Sequence, residues 1–227
     1  MLIYEATIKK WNDLHNMNNF RLRYPSEVVV QFVFHHFPRG KSLRLLDLGA
    51  GSGRHTFFLA SEGYKVTASD VSDSAIDYIN KMTLEGEFHN IETSVNSASH
   101  LPFESDSFDG CISYAVLYYL TYSQIELAFQ ELFRVLKKDG VAFIVVRSTD
   151  DHRFRKGNEI EKNTFIIHEN DSNKSSFHEN GMTMHFFSRD ELTELTSSFS
   201  QVFIDRIDQT MNNCEFVESN FLVKLVK

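Results

Sequence analysis

The sequence is poor in cysteine and has no long apolar run. Of its two cysteines, Cys111 lies in an apolar stretch and Cys214 in a polar one, and neither has His or Cys neighbours at metal-ligand spacing. We therefore expect no metal site, and nothing requires a disulfide. No run approaches the ~18 apolar residues of a membrane span, and the N-terminal segment lacks the apolar core of a secretion signal. These absences predict a cytoplasmic protein without a membrane partner.

Positive charge is also scarce, since 23 Lys and Arg face 31 Asp and Glu, a net charge of −8. A nucleic-acid backbone is bound by a concentrated basic face. The one local basic cluster, from Arg147 to Lys156, is diluted by Asp150 and Asp151. We therefore expect no nucleic-acid partner.

What the chain does contain is the stretch Leu43–Ala60, which reads LRLLDLGAGSGRHTFFLA. Its first six residues are an apolar run too short for a helix and bounded by glycine, which predicts a buried strand. Three glycines follow at alternate positions, and then a helical pattern resumes. Strand, glycine turn and helix are how α/β proteins bring backbone N–H groups and a helix N-terminus up to a ligand.

The spacing of these glycines indicates the kind of ligand. A dinucleotide fingerprint, G-x-G-x-x-G, would need a third glycine where Arg54 stands. The chain instead reads D-x-G-x-G-x-G, with Asp47 at the end of the strand. A carboxylate there repels a pyrophosphate and suits the ammonium group of an amino acid.

The segment Asp47–Gly53, DLGAGSG, resembles the first motif of the class I S-adenosylmethionine-dependent methyltransferases. The stretches LPF at 101–103 and RVLKKDGVAF at 134–143 resemble later segments of the same family. The resemblance is closest over 43–147. It implies an α/β fold with a Rossmann-like, doubly wound, seven-stranded sheet, mostly parallel with an antiparallel edge hairpin, and helices on both faces.

The resemblance implies S-adenosyl-L-methionine as cofactor and S-adenosyl-L-homocysteine as product. The glycine loop would hold the amino-acid part of the cofactor, and Asp70 would accept hydrogen bonds from the ribose hydroxyls. The alternative role for Asp70 is to cap the next helix, but Ser72 is also available as that cap. Val71 would stack on the adenine. At Ser97 the family usually has an acid, so the adenine contact lacks charge assistance there. The expected cofactor-binding residues are Asp47, Gly49, Ala50, Gly51, Gly53, Asp70, Val71, Ser97, Ala98, Ser113, Tyr114 and Arg23.

Segments outside this core carry the substrate predictions. Residues 1–40 form a cap on the sheet or a lid, in which Arg23 would pair with the cofactor carboxylate and Tyr24 would touch the substrate. The connection 148–187 is far longer than the ~2–6 residues usual there, which predicts a substrate lid. Its apolar flanks, 165–167 and 182–187, are expected to pair as a hairpin over the cofactor. The remaining parts are the cofactor-binding core 43–147 and a C-terminal helix and β-hairpin, 188–227, within one domain spanning 1–227.

No general base stands out. Tyr118 and His185 are the catalytic candidates, with packing and hairpin anchoring as their respective alternatives, and Arg147 and Asp150 are further candidates for substrate contact. We predict a methyltransferase acting on a small-molecule acceptor, as a monomer or homodimer. Two alternatives are a non-catalytic protein that binds S-adenosylmethionine or S-adenosylhomocysteine, and an aminopropyltransferase-like enzyme on the same scaffold, against which Asp47 argues mildly.

Overall fold

The computed structural model describes residues 2–169, 177 and 179–227. Its helices are α1 (Leu2–His15), α2 (Glu27–His36), α3 (Arg54–Ser61), α4 (Asp73–Glu85), α5 (Tyr122–Val135) and α6 (Arg189–Leu195), with short 3₁₀ turns at Asn18–Phe20 and Leu117–Tyr119. Its strands are β1 (Arg44–Leu48), β2 (Lys65–Asp70), β3 (Ile91–Val95), β4 (Phe108–Tyr114), β5 (Leu136–Arg147), β6 (Gly157–Glu161), β7 (Thr164–Ile167), β8 (Thr183–His185), β9 (Gln201–Met211) and β10 (Phe216–Val226).

Seven of these strands form one sheet in the order β3-β2-β1-β4-β5-β10-β9. Strands β1 to β5 run parallel, and β10 pairs antiparallel with both β5 and β9. The predicted doubly wound sheet with an antiparallel edge hairpin is confirmed. Because the strand order reverses between β1 and β4, a crevice is expected beyond the carboxyl ends of these two strands.

Both faces of this sheet are covered, which explains why its central strands are largely apolar. Leu45 of β1 packs in one core cluster with Val29 of α2 and Leu59 of α3. Leu46, its neighbour in the strand, packs in another cluster with residues of α5, including Leu132. The single apolar run of β1 therefore supplies both cores.

The second sheet contains the predicted hairpin of the 148–187 segment. Strands β7 and β8 pair antiparallel, with Thr164 opposite His185, and β6 adds a third strand that the sequence did not predict. Residues 170–176 and 178, which include most of the polar middle of this segment, lie outside the described residues. Among the helices that the structure describes, none is long and apolar enough to cross a membrane.

Two helix starts differ in how they are capped. Helix α5 is capped by Thr121, whose partner in the capping box is Gln124. Ser26 precedes α2, but its side chain makes no capping bond, and its N–H donates to His55 Nε2. Helix α1 is a further element that the sequence interpretation did not include.

Candidate functional site

A cavity of about 690 Å³ lies at the expected crevice. The end of β1 and its glycine loop, the tip of β2 at Asp70 and the end of β4 at Tyr114 all line it. The remaining wall comes from α1 through Trp11 and His15, and from Tyr119 after β4. The cavity therefore lies between the sheet and the N-terminal helix.

The structure brings most of the predicted cofactor residues to this cavity, but not all of them. Those that line it are Gly49, Ala50, Gly51, Asp70, Val71, Ser97, Ala98 and Tyr114. Those that do not are Asp47, Gly53, Ser113 and Arg23, and the predicted catalytic residues Tyr118 and His185.

The glycine loop takes a left-handed backbone at each glycine, with φ of +74°, +53° and +80° at Gly49, Gly51 and Gly53. Its N–H groups are not bare, as the sequence interpretation assumed. Those of Gly49 and Ala50 donate to the Ser69 carbonyl, at 2.7 and 3.0 Å. That of Gly51 donates to Asp70 Oδ2 at 2.8 Å. The loop is thus poor in free donors, which disfavours a phosphate as its ligand.

Asp70 lies at the tip of β2 with its carboxylate at the cavity. Besides Gly51 N–H, it accepts a hydrogen bond from Ser72 N–H at 2.9 Å. The cap of helix α4 is Ser72, whose hydroxyl accepts from Ala75 N–H. The capping role that competed with ribose binding at Asp70 therefore belongs to Ser72.

Asp47 lies beneath the loop. It is buried, and Thr56 Oγ1 donates a hydrogen bond of 2.6 Å to it. Burial raises the pKa of Asp47 from the ordinary 3.8 to about 6, against the opposing effect of the Thr56 bond. Asp47 thus bonds within the protein and does not line the cavity.

Two arginines differ from expectation. Arg23 is exposed and does not line the cavity, and neither does Tyr24, which is 83% exposed. Arg54, the first residue of α3, lines the cavity instead, with its guanidinium 4.8 Å from the centre of the Tyr114 ring. Among the described residues that line the cavity, Arg54 is the only lysine or arginine.

The predicted catalytic side chains are buried in the protein. The Tyr118 hydroxyl lies 3.4 Å from Arg147 Nη2, and burial raises its pKa, which keeps it protonated. His185 is fully buried, with Nδ1 2.7 Å from Thr164 Oγ1 and Nε2 3.1 Å from Glu191 Oε2. Neither side chain lines the cavity, and both have the packed surroundings that the sequence analysis named as the alternative to catalysis.

The predicted substrate contacts are also elsewhere. Arg147 belongs to a buried ionic cluster, in which it pairs with Asp151 at 2.9 Å. Asp150 is exposed and pairs with Arg206. The cluster meets the cavity wall through Glu179, which accepts a hydrogen bond of 2.8 Å from the Tyr119 hydroxyl.

Sequence reasoning missed the aromatic wall of the cavity. Trp11 packs edge-on against Tyr119 with ring centres 4.8 Å apart, and His15 stacks on Trp11 at 5.7 Å. The signal was the helical spacing of Ile8, Trp11 and His15, which places these three cavity-lining residues on one face of α1.

Comparison with known proteins agrees with this geometry. The family model described as "Methyltransferase domain" matches residues 46–144, from β1 into β5. Over these residues the chain is similar to a methyltransferase domain. A putative methyltransferase from Geobacillus sp. (strain WCH70) is 31% identical over 131 residues, which cover 56% of this chain and 52% of that protein. The chain spans about half or less of the length of the first curated relatives it matches.

Solved methyltransferase structures share the fold of this domain and its surrounding elements. A SAM-dependent methyltransferase of Methanosarcina mazei superposes with a TM-score of 0.70 at 22% identity, over 90% of this chain and 98% of that one. The 1,6-didemethyltoxoflavin-N1-methyltransferase of Burkholderia thailandensis, solved with 1,6-didemethyltoxoflavin and S-adenosylhomocysteine bound, gives 0.65 at 17% identity, over 99% and 89% of the two chains. At these identities the likeness establishes the fold.

Proposed function

We propose that this methyltransferase domain binds S-adenosylmethionine and transfers its methyl group to a small-molecule acceptor. The observation that carries the proposal is the position of Asp70. Its carboxylate faces the cavity at the tip of β2, beside the Gly49–Gly53 loop. A carboxylate in that position accepts hydrogen bonds from the two hydroxyls of a ribose.

The rest of the cavity fits the other parts of this cofactor. An ammonium group is a donor, so it suits a loop whose N–H groups are already bonded, and backbone carbonyls of the loop would hold it. Arg54 would pair with the carboxylate of the amino-acid part. Val71 and the Ser97–Ala98 segment line the cavity where an adenine attached to that ribose would lie.

The chemistry needed from the protein is mainly positioning. The bound cofactor supplies an electrophilic methyl group on a sulfonium. Trp11 and Tyr119 form an aromatic wall that excludes water and orients an acceptor against that methyl group. Tyr118 and His185 are left out of this proposal because neither lines the cavity. The proton that an O–H or N–H acceptor releases passes to solvent or to a base on the acceptor itself.

A small molecule suits this site better than a macromolecule. The cavity is covered by α1, so a long polymer cannot lie across it, and the net charge of −8 opposes nucleic acid. The Burkholderia thailandensis neighbour, with a small heterocycle bound, supports the same class of acceptor. In this proposal residues 1–40 and 148–187 act as lids over the core 43–147, and 188–227 complete the sheet.

Isothermal titration with S-adenosylhomocysteine tests the cofactor part. We expect micromolar binding to the native protein, at least tenfold weaker binding to Asp70→Asn, and no binding of NAD. Asn is chosen because its carbonyl can still accept from Gly51 N–H, which preserves the loop. Circular dichroism checks that the variant is folded. No binding to a folded wild type would refute the proposal.

The acceptor part needs a second experiment. S-adenosylmethionine labelled in its methyl group is incubated with the protein and with separated small-molecule, RNA and protein fractions of a cell extract. We expect label in the small-molecule fraction only. Label in RNA or protein would overturn the acceptor class and leave the cofactor proposal standing.

A further inference from the structure

His15 is the last residue of α1, and its ring lies over the glycine loop. It lines the cavity, and a Cβ atom added at Gly51 would come within 3.2 Å of His15 Cε1 and 3.8 Å of Nε2. The same Gly51 N–H is the group that holds Asp70. His15 and Asp70 therefore flank one point of the cavity from opposite structural layers, the lid helix and the sheet.

The fold alone does not explain a histidine at this position. The side chain is 7% exposed, and its Nδ1 is buried with no hydrogen-bond partner among the residues the structure describes. Its contacts are aromatic, through Trp11 and Phe20. An apolar ring would serve that packing without leaving a buried polar atom unpaired, which costs free energy.

Burial favours the neutral form of His15. Burial is the main cause that lowers its pKa below the ordinary value, Asp70 opposes this, and Arg21 reinforces it. Arg21 is turned to the backbone, since its Nε donates to the His15 carbonyl at 2.9 Å. A neutral imidazole has one N–H donor and one acceptor nitrogen, so it can bond a hydroxyl in either direction.

We propose that His15 is a second ribose-binding residue, which hydrogen-bonds a ribose hydroxyl that Asp70 also holds. This rests on the proposed function. Asp70 accepts from the ribose, so the oxygen of that hydroxyl remains able to accept from the imidazole N–H. Because His15 belongs to α1, the cofactor would join the N-terminal helix to the sheet.

The test is a cycle of protein and ligand changes, measured by isothermal titration. Wild type, His15→Ala and His15→Asn are titrated with S-adenosylhomocysteine and with its 2′-deoxy and 3′-deoxy analogues. We expect His15→Ala to bind S-adenosylhomocysteine about tenfold more weakly, and His15→Asn to recover part of the loss as a hydrogen-bonding replacement. One deoxy analogue should lose less affinity in His15→Ala than in wild type, because the bond is already absent.

Asp13→Ala is the matched control, since Asp13 is exposed on the same helix, and it should bind as wild type does. Binding by His15→Ala within twofold of wild type overturns the inference. The inference is also overturned if each deoxy analogue loses the same affinity, relative to S-adenosylhomocysteine, in wild type and in His15→Ala. That result would make His15 a packing residue. If wild type itself does not bind S-adenosylhomocysteine, the proposed function is wrong. This outcome is distinct from one in which wild type binds and only the role of His15 is refuted.

Discussion

At the scale of single residues, the site separates two carboxylates at the ends of neighbouring strands. Asp70 ends β2 at the cavity and accepts from two backbone N–H groups. Asp47 lies in β1 under the loop, where burial raises its pKa to about 6. The sequence places both acids correctly at strand ends. It cannot tell which one reaches the cavity, because that depends on how the loop folds back over β1.

Replacing Asp47 by Asn should change how stability depends on pH. Above the unfolded pKa of 3.8 and up to about 6, the native protein holds a proton that the unfolded chain has released, so its unfolding free energy falls as pH rises. The Asp47→Asn variant does not lose stability in this way, because asparagine does not ionise. The unfolding free energy of the variant, compared with that of wild type, should therefore rise by up to about 3 kcal/mol between about pH 4 and pH 7. This magnitude follows from the difference between the Asp47 pKa of 3.8 in the unfolded chain and about 6 in the native protein. Urea denaturation of both proteins at both pH values measures this change. A difference in unfolding free energy between variant and wild type that is the same at both pH values would contradict the prediction.

Arg54 should contribute more to cofactor binding than Arg23. Arg54 lines the cavity, and Arg23 is exposed outside it. Losing a charge-assisted bond to a carboxylate should weaken S-adenosylhomocysteine binding about tenfold or more in Arg54→Ala. Arg23→Ala is the matched control and should stay within about twofold of wild type by titration. The reverse order would restore the assignment made from the sequence.

At the scale of secondary-structure elements, local signals predicted well and long-range ones did not. The β7–β8 hairpin is present as predicted, and helix α6 begins with a capping box formed by Ser188 and Glu191. Each depends on residues that are close in sequence or on apolar flanks that pair directly. The placement of His185 depends on Glu191 of α6 and Thr164 of β7 together, and no single segment contains that information.

His185 should therefore act in stability and not in catalysis. Its replacement by Ala leaves Glu191, 12% exposed, without its imidazole partner and opens space in the core. We expect an unfolding free energy lower by about 2 kcal/mol. Binding of S-adenosylhomocysteine and methyl transfer by the folded fraction should be unchanged.

The exposed His168, in the same segment, provides the control. His168→Ala should change the unfolding free energy by no more than about 0.5 kcal/mol. Methyl transfer abolished in a folded His185→Ala protein would return His185 to the catalytic site.

At the scale of the whole molecule, three distant parts of the chain meet above the cavity. Helix α1 packs Trp11 on Tyr119, which follows β4, and Tyr119 donates to Glu179 from the segment after β7. Lys10 of α1 also donates to the Asn180 carbonyl. The sequence predicted 148–187 as a lid and 1–40 as a cap on the sheet or a lid, with no contact between the two segments. Their meeting at Tyr119 is a tertiary contact between residues far apart in the chain, which local patterns do not encode.

The N-terminal helix is tied to the body of the protein by Asn12. Its Oδ1 accepts from the Ser72 hydroxyl at 2.6 Å and from Ser74 N–H at 3.3 Å, both at the start of α4. If α1 is a lid, Asn12→Ala lowers the fraction of molecules with the lid closed. Apparent affinity falls with the fraction of the binding-competent state, so we expect S-adenosylhomocysteine to bind about fivefold more weakly.

Fluorescence of Trp11, the single tryptophan of the chain, separates a loosened lid from a damaged site. In a lid mechanism saturating S-adenosylhomocysteine returns α1 to its closed position, so the bound-state spectrum of Asn12→Ala should match wild type while the free-state spectrum differs. The exposed Lys9, on the same helix, gives a control in Lys9→Ala, which should match wild type in both states. Identical affinities and spectra for Asn12→Ala and wild type would mean that α1 is a fixed wall of the cavity, and that ligand enters without moving it.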